Sequence, residues 1–143
     1  MALAIIDFNP GNDGGPSNSS SAWLNWPTAP SMDTITTLSG EVLVDATWSA
    51  TAEKTGEGIA LRIGISFDGG STYDYSMTTT TDIVKWHMQY SAGAFERRRV
   101  SLRHVAKGTL TGDLIINCQY ISTANSTTDW NLHEVRGFAL ELT

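Results

Sequence analysis

The residues of this chain whose types and spacing best suit chemistry lie in SFDGGSTY, positions 66–73. An aspartate, two glycines and two hydroxyl residues in one short string can hold a proton, a metal ion or a tight turn. The turn accounts for all of them. Asp68 can accept hydrogen bonds from nearby backbone N–H groups, Gly69 and Gly70 can supply the positive φ of a hairpin, and Ser71 and Thr72 can cap it. Tyr73 then resumes the strand with its ring over the turn. A calcium ion held by Asp68, Asp74 and turn carbonyls is the looser alternative, because calcium takes oxygen ligands in flexible loops.

The other reactive side chains are scattered. His87, His104 and His133 fall on separate predicted strands or their flanks, with no pair at a metal-ligand spacing. His133 and Glu134 could act as an acid/base pair, but no Ser or Cys sits in a nucleophile turn and no Gly-rich loop could cradle a phosphate. Cys118 is the only cysteine, which excludes an intrachain disulfide, a Cys-rich zinc site and a redox pair. We therefore expect no enzyme, no catalytic residue, no metal and no cofactor.

SFDGGSTY also resembles the Asp-box string, Ser-x-Asp-x-Gly-x-Thr followed by an aromatic, found on the blades of sialidases and other propellers. A propeller needs several blades of about 40 residues each, whereas this chain has 143 residues, one copy of the string and no internal repeat. The string is expected to be a structural turn at Asp68, Gly69 and Gly70.

Two features point instead to contact with other molecules. Arg97, Arg98 and Arg99 stand together in a chain of formal charge −6, and Arg103 extends their stripe. Charged residues beside an apolar strand can serve as gatekeepers against edge aggregation, but forked guanidinium groups also pair with carboxylates of a neighbouring subunit. For three in a row the interface reading is preferred. Trp23 and Trp26 lie in NPGNDGGPSNSSSAWLNWPTAPSMD, a segment that holds all four prolines and lacks the periodicity of helix or strand. It reads as an extended arm. Two tryptophans are too much apolar area to leave in water, so the arm either folds over its own domain or crosses onto a neighbour.

The elements that must position these residues are strands. Ser, Thr and Gly are abundant and helix-forming runs are absent, so local propensity favours an all-β domain. In EVLVDATWS, Val42, Val44, Ala46 and Trp48 share one face; in IALRIGISF, Ile59, Leu61, Ile63, Ile65 and Phe67 do. Thr72 to Thr78 read as the returning strand. Val84, Trp86, Met88 and Tyr90 alternate in DIVKWHMQY, and Val100 and Leu102 oppose Arg99, Ser101 and Arg103. LIINCQYIS is a further strand. Phe138, Leu140 and Leu142 are expected to form the apolar face of the last strand, which should lie centrally, because an exposed one would invite edge pairing. With ALAIIDF the chain gives about eight strands in an antiparallel β-sandwich. Residues 1–33 read as an N-terminal strand and extended arm, and 34–143 as the sandwich.

Eight strands closed by an apolar last strand form the pattern of a jelly roll. SGEVLVDATWSA, LRIGISFDGGSTY and VRGFALELT together resemble the small jelly-roll modules of bacteriophage structural proteins, capsid cement proteins and fibre-tip domains among them, some akin to the tumour-necrosis-factor fold. The resemblance implies a non-enzymatic capsid cement or decoration protein. It would be a homotrimer whose partners are itself and the major capsid protein, made in the host cytoplasm and placed on the virion surface. The charge of −6 with nine Lys and Arg argues against nucleic acid or an anionic membrane as partner. No stretch at the N-terminus reads as a signal or a span. The alternative is a carbohydrate- or receptor-binding domain of a tail fibre or a polysaccharide-acting enzyme. There Trp130 would be the ring that faces a surface glycan, with Trp86 and Tyr90 more plainly core.

Overall fold

A computed structural model describes residues 3–8, 23–25, 31–33, 40–52, 58–77, 88–89, 98–122 and 130–142. Its strands are β1 (Leu3–Phe8), β2 (Leu24–Asn25), β3 (Ser31–Asp33), β4 (Glu41–Ala52), β5 (Gly58–Ser66), β6 (Asp74–Tyr75), β7 (Met88–Gln89), β8 (Arg98–Lys107), β9 (Leu114–Ser122) and β10 (Trp130–Glu141). They form two antiparallel sheets packed face to face, a β-sandwich. One sheet has the order β1-β10-β4-β8; the other has β2-β9-β5-β6, with β3 also on β9 and β7 also on β5. The expected positions 78–87 and 90–97, among them Val84, Trp86, His87, Tyr90 and Arg97, lie outside the described residues, as does Trp26.

The pairing is nested. β1 pairs with β10, β2 and β3 with β9, β4 with β8, and β5 with β6 and β7. The chain thus doubles back on itself at the loop between β5 and β6, which is SFDGGSTY. Two further pairings, β10 with β4 and β9 with β5, join these ribbons into sheets.

The core lies where the two inner faces meet. β4 contributes Val42, Val44, Ala46 and Trp48, all at most 1 % exposed, as its alternation predicts. β5 contributes Leu61, Ile63 and Ile65, and β9 Leu114, Ile116, Cys118 and Tyr120. The sandwich departs from simple alternation at β5 and β9, where Ala60 to Phe67 and Leu114 to Ile121 are buried without a break. Both faces of this sheet are covered, and the near-continuous apolar run of β9 is the matching sequence signal.

β10 does lie centrally, between β1 and β4, but its faces are opposite to expectation. Val135 and Ala139 point into the core and are fully buried, whereas Phe138 is 39 % exposed and Leu140 is half-buried on the outer side. The register with β4 sets this phase: Val135 stands opposite Trp48, Gly137 opposite Ala46 and Ala139 opposite Val44. Space there is short. A Cβ on Gly137 would collide with the Asp45 carbonyl oxygen and lie 3.0 Å from the Ala46 Cα, so this inward position takes only glycine.

Candidate functional site

Three places on this frame bring polar or exposed apolar side chains together. The first is the loop at the fold's midpoint. Gly69 and Gly70 have φ of 69° and 92°, a conformation that glycine adopts without a Cβ penalty. Asp68 accepts hydrogen bonds from the Ser66 hydroxyl at 2.7 Å, the Thr72 N–H at 2.9 Å and the Thr72 hydroxyl at 2.7 Å. The Gly70 N–H donates to the Ser66 oxygen at 2.9 Å, and the Ser71 hydroxyl to the Asp68 carbonyl at 3.2 Å. The loop is also tied to the β8–β9 turn, where Gly69 N–H donates to the Asp113 carbonyl and Thr111 N–H to that of Phe67. Both Asp68 carboxylate oxygens are thus engaged in holding the turn.

The donors from Thr72 and Ser66 hold the Asp68 carboxyl below its ordinary 3.8, at about 2. A carboxyl depressed in the folded state stabilises the fold above its unfolded pKa and loses that contribution as pH falls through the folded value. The acid limb of stability between about pH 4 and pH 2 should therefore be shallower in Asp68→Asn than in the parent. Urea midpoints taken across that range would show it, and parallel limbs would show that Asp68 does not couple to folding.

Beside this loop an open cleft of about 350 Å³ is walled by Phe67, Asp68, Tyr73, Asp74, Lys107 and Thr111, among others. Asp74 is turned toward His104, whose Nε2 lies 3.3 Å from its carboxylate. Lys107 pairs with Glu41 at 3.2 Å. Among the described residues no group of three or more His, Cys, Asp or Glu is placed to hold a metal ion. Cys118 is enclosed in the core, where burial pushes its thiol up to about 12, so it is no nucleophile.

The second place is Arg62, on the outer face of the β5–β9 sheet. Its guanidinium carbon lies 3.7 Å from the Tyr75 ring centroid and 4.4 Å from that of Trp23. Nε donates to Gln119 at 2.7 Å and Nη1 to the Met77 carbonyl at 3.1 Å; Gln119 in turn donates to Asn25 at 2.7 Å. Trp23 is therefore half-buried against its own chain. Tyr73 stacks on Tyr75 with centroids 5.6 Å apart, and a Cβ on Gly64 would meet the Tyr75 ring at 2.5 Å. Sequence reasoning passed over Arg62, although a lone cation in a strand of otherwise apolar or small residues was the available signal.

The third place is the outer face of the four-stranded sheet. Leu140, Leu43 and Val105 occupy one cross-strand row over β10, β4 and β8, and Phe138, Asp45 and Arg103 the next. Val105 is 45 % exposed. Leu3 and Ile5 of β1 occupy the register positions opposite Leu140 and Phe138. Arg103 donates to Asp45 at 2.6 Å. Arg99 is exposed and stands opposite Ser49. Arg98 is in β8 opposite Ala50; its side chain, like those of Trp130 and His133 in β10, lies outside the described residues.

The class these features define is a two-sheet antiparallel β-sandwich with no assembled catalytic group among the described residues. No protein-family model matches the chain, and no curated protein matches it either.

Proposed function

We propose that this chain is a non-enzymatic structural protein that works by association and, more specifically, a capsid cement or decoration protein of a bacteriophage. The observation that carries the reading is the outer face of the four-stranded sheet. The large apolar residues Phe138, Leu140, Leu43 and Val105 lie there, while Val135, Gly137 and Ala139 face inward from β10. Phe138 and Val105 are exposed and Leu43 and Leu140 half-buried, with Asp45 and Arg103 beside them; an apolar patch rimmed by charge marks a protein contact. The nested strand order, first with last and inward to the midpoint loop, supports a jelly roll. On this reading the partners are further copies in a homotrimer and the major capsid protein, and the place of action is the virion surface. Added buried area across lattice joints stabilises the shell by mass action.

Molar mass in solution and co-sedimentation with empty capsids test it together. The wild-type mass is expected to be three times 15.5 kDa. A Val105→Glu, Phe138→Lys variant places each new charge beside an opposite one, Arg103 and Asp45 respectively, so the fold should tolerate it. Its association should weaken about 30-fold or more, as loss of an interface hot spot does. A monomeric wild type that ignores capsids, or a variant that associates normally, would sink the proposal. The cleft beside Asp68 favours a second reading, a glycan-binding domain, since carboxylates and threonine hydroxyls suit sugar hydroxyls and Tyr73 offers a ring. Glycan binding that vanishes in Tyr73→Ala would decide for it.

A further inference from the structure

β8 is an end strand of its sheet: it pairs with β4 on one side, and among the described residues nothing pairs with the other. At ten residues it is long for an edge, and alternate backbone N–H and C=O groups along it face outward without a ladder partner among the described residues. Its composition is unlike the rest of the chain. Arg98, Arg99, Arg103 and Lys107 are four of the nine cations, and the strand holds no acid, while the other five cations share the remaining chain with all fifteen acids.

The cations are also in phase. Arg99, Arg103 and Lys107 lie on the outer row of β8, four residues apart, which in a strand is about 13 Å. Ser101 and Val105 fill the positions between. The Arg103 and Lys107 side chains are 76 % and 74 % exposed, and each pairs with the carboxylate opposite it on β4, Asp45 and Glu41. Arg99 has no carboxylate partner among the described residues. In the antiparallel register centred at Arg103, two β8 edges would set Arg99 against Lys107 and Arg103 against itself, which is unfavourable. A row of cations with no acid in the strand favours an acidic strand on this edge.

We propose that the free edge of β8 docks an extended acidic segment of a partner protein, which adds to the four-stranded sheet as a fifth strand. Backbone bonds give such an addition its affinity and alternate side chains its register. The segment it fits carries an acid at every fourth residue and an apolar residue opposite Val105. Lys107 and Gly108 form one wall of the cleft beside Asp68, so inward side chains of the added strand lie toward that opening. The inference names a partner chemistry for the assembly reading and takes its setting from it, but the edge can be tested without particles.

The probe is a fluorescein-labelled peptide, ETVTETTTE, which in antiparallel register sets glutamates opposite Lys107, Arg103 and Arg99 and the valine opposite Val105. EEETTVTTT has the same composition and charge in the wrong order. The first should bind full-length protein about tenfold or more tighter, a difference of about 1.4 kcal/mol, and salt should weaken it. Arg99→Glu should lose that preference while its melting temperature stays within a few degrees of the parent's. Hydrogen exchange should slow at alternate β8 amides on binding. Equal affinity for the two peptides, an unaffected Arg99→Glu variant, or protection appearing at β1 instead of β8 overturns the proposal. Failure of the mass and sedimentation experiment, by contrast, bears on the apolar face and leaves this edge standing.

Discussion

Trp48→Ala is expected to lower the free energy of unfolding by about 3–5 kcal/mol, the range for emptying a buried aromatic site. Trp48 is fully buried on the inner face of β4, with Val100 of β8 and Val135 of β10 directly across from it. It is among the largest fully buried side chains of the described core. β-Sheet backbones on both sides are fixed by their ladders, so the cavity cannot collapse easily. Small domains are stable by roughly 5–15 kcal/mol in all, so the variant should be marginal at room temperature. Among the described residues its indole Nε1 is buried without a hydrogen-bond partner. Trp48→Phe keeps a ring in place and removes that orphan donor, so it should cost much less than alanine. Urea denaturation of the three proteins measures both differences; a loss under about 1 kcal/mol for alanine would mean that the inner face does not pack as described.

Arg62→Ala should cost about 3 kcal/mol, from two lost hydrogen bonds to a charged group and two lost ring contacts. The mechanism differs from that of Trp48. Arg62 is 9 % exposed, and burial lowers its pKa, yet a guanidinium remains charged at any ordinary pH. Truncation leaves Gln119 and the Met77 carbonyl without their donor and removes the plate on which Trp23 lies. The effect should therefore be largest in the outer layer. Hydrogen exchange at Leu24 and Asn25, which pair with Tyr120 and Gln119, should speed up far more than at β4. Lys in place of Arg keeps the charge but neither the fork nor the flat face, and most of the loss should persist. Unchanged exchange in β2 would show that Arg62 does not hold it.

The two predictions differ in how far the sequence foretells them. The inner faces of β4 and β5 are legible because one phase of each strand is wholly apolar and the other is mostly polar or small, so Trp48 could be placed in the core from EVLVDATWS alone. β10 offers apolar residues in both phases, Val135 and Ala139 against Phe138 and Leu140. Size favours the wrong phase. The deciding residue is Gly137, whose missing Cβ admits the β4 backbone, and a glycine inside a strand is the one local sign of such an approach. The Asp68 turn is legible because its donors lie within four residues of it. The Arg62 stack is not, because Trp23, Tyr75 and Gln119 come from three distant segments, and nothing local fixes which strand will neighbour β5.

The nested pairing also bears on how the chain is made. β10 lies between β1 and β4, and among the described residues β10 is the only strand with which β1 pairs. During synthesis β1 (Leu3–Phe8) leaves the ribosome well before its partner β10 (Trp130–Glu141). The β5–β6 hairpin can close while translation continues, but the four-stranded sheet cannot. A nascent chain therefore carries β1 without a partner and one unpaired edge of β4 until β10 emerges, and such edges recruit other chains. Neighbouring nascent copies on one polysome hold the same exposed strands at high local concentration. Yield of soluble protein should thus respond to translation rate and to chaperones that shield β1, and fusion to a fast-folding partner downstream should help less than slowing the ribosome.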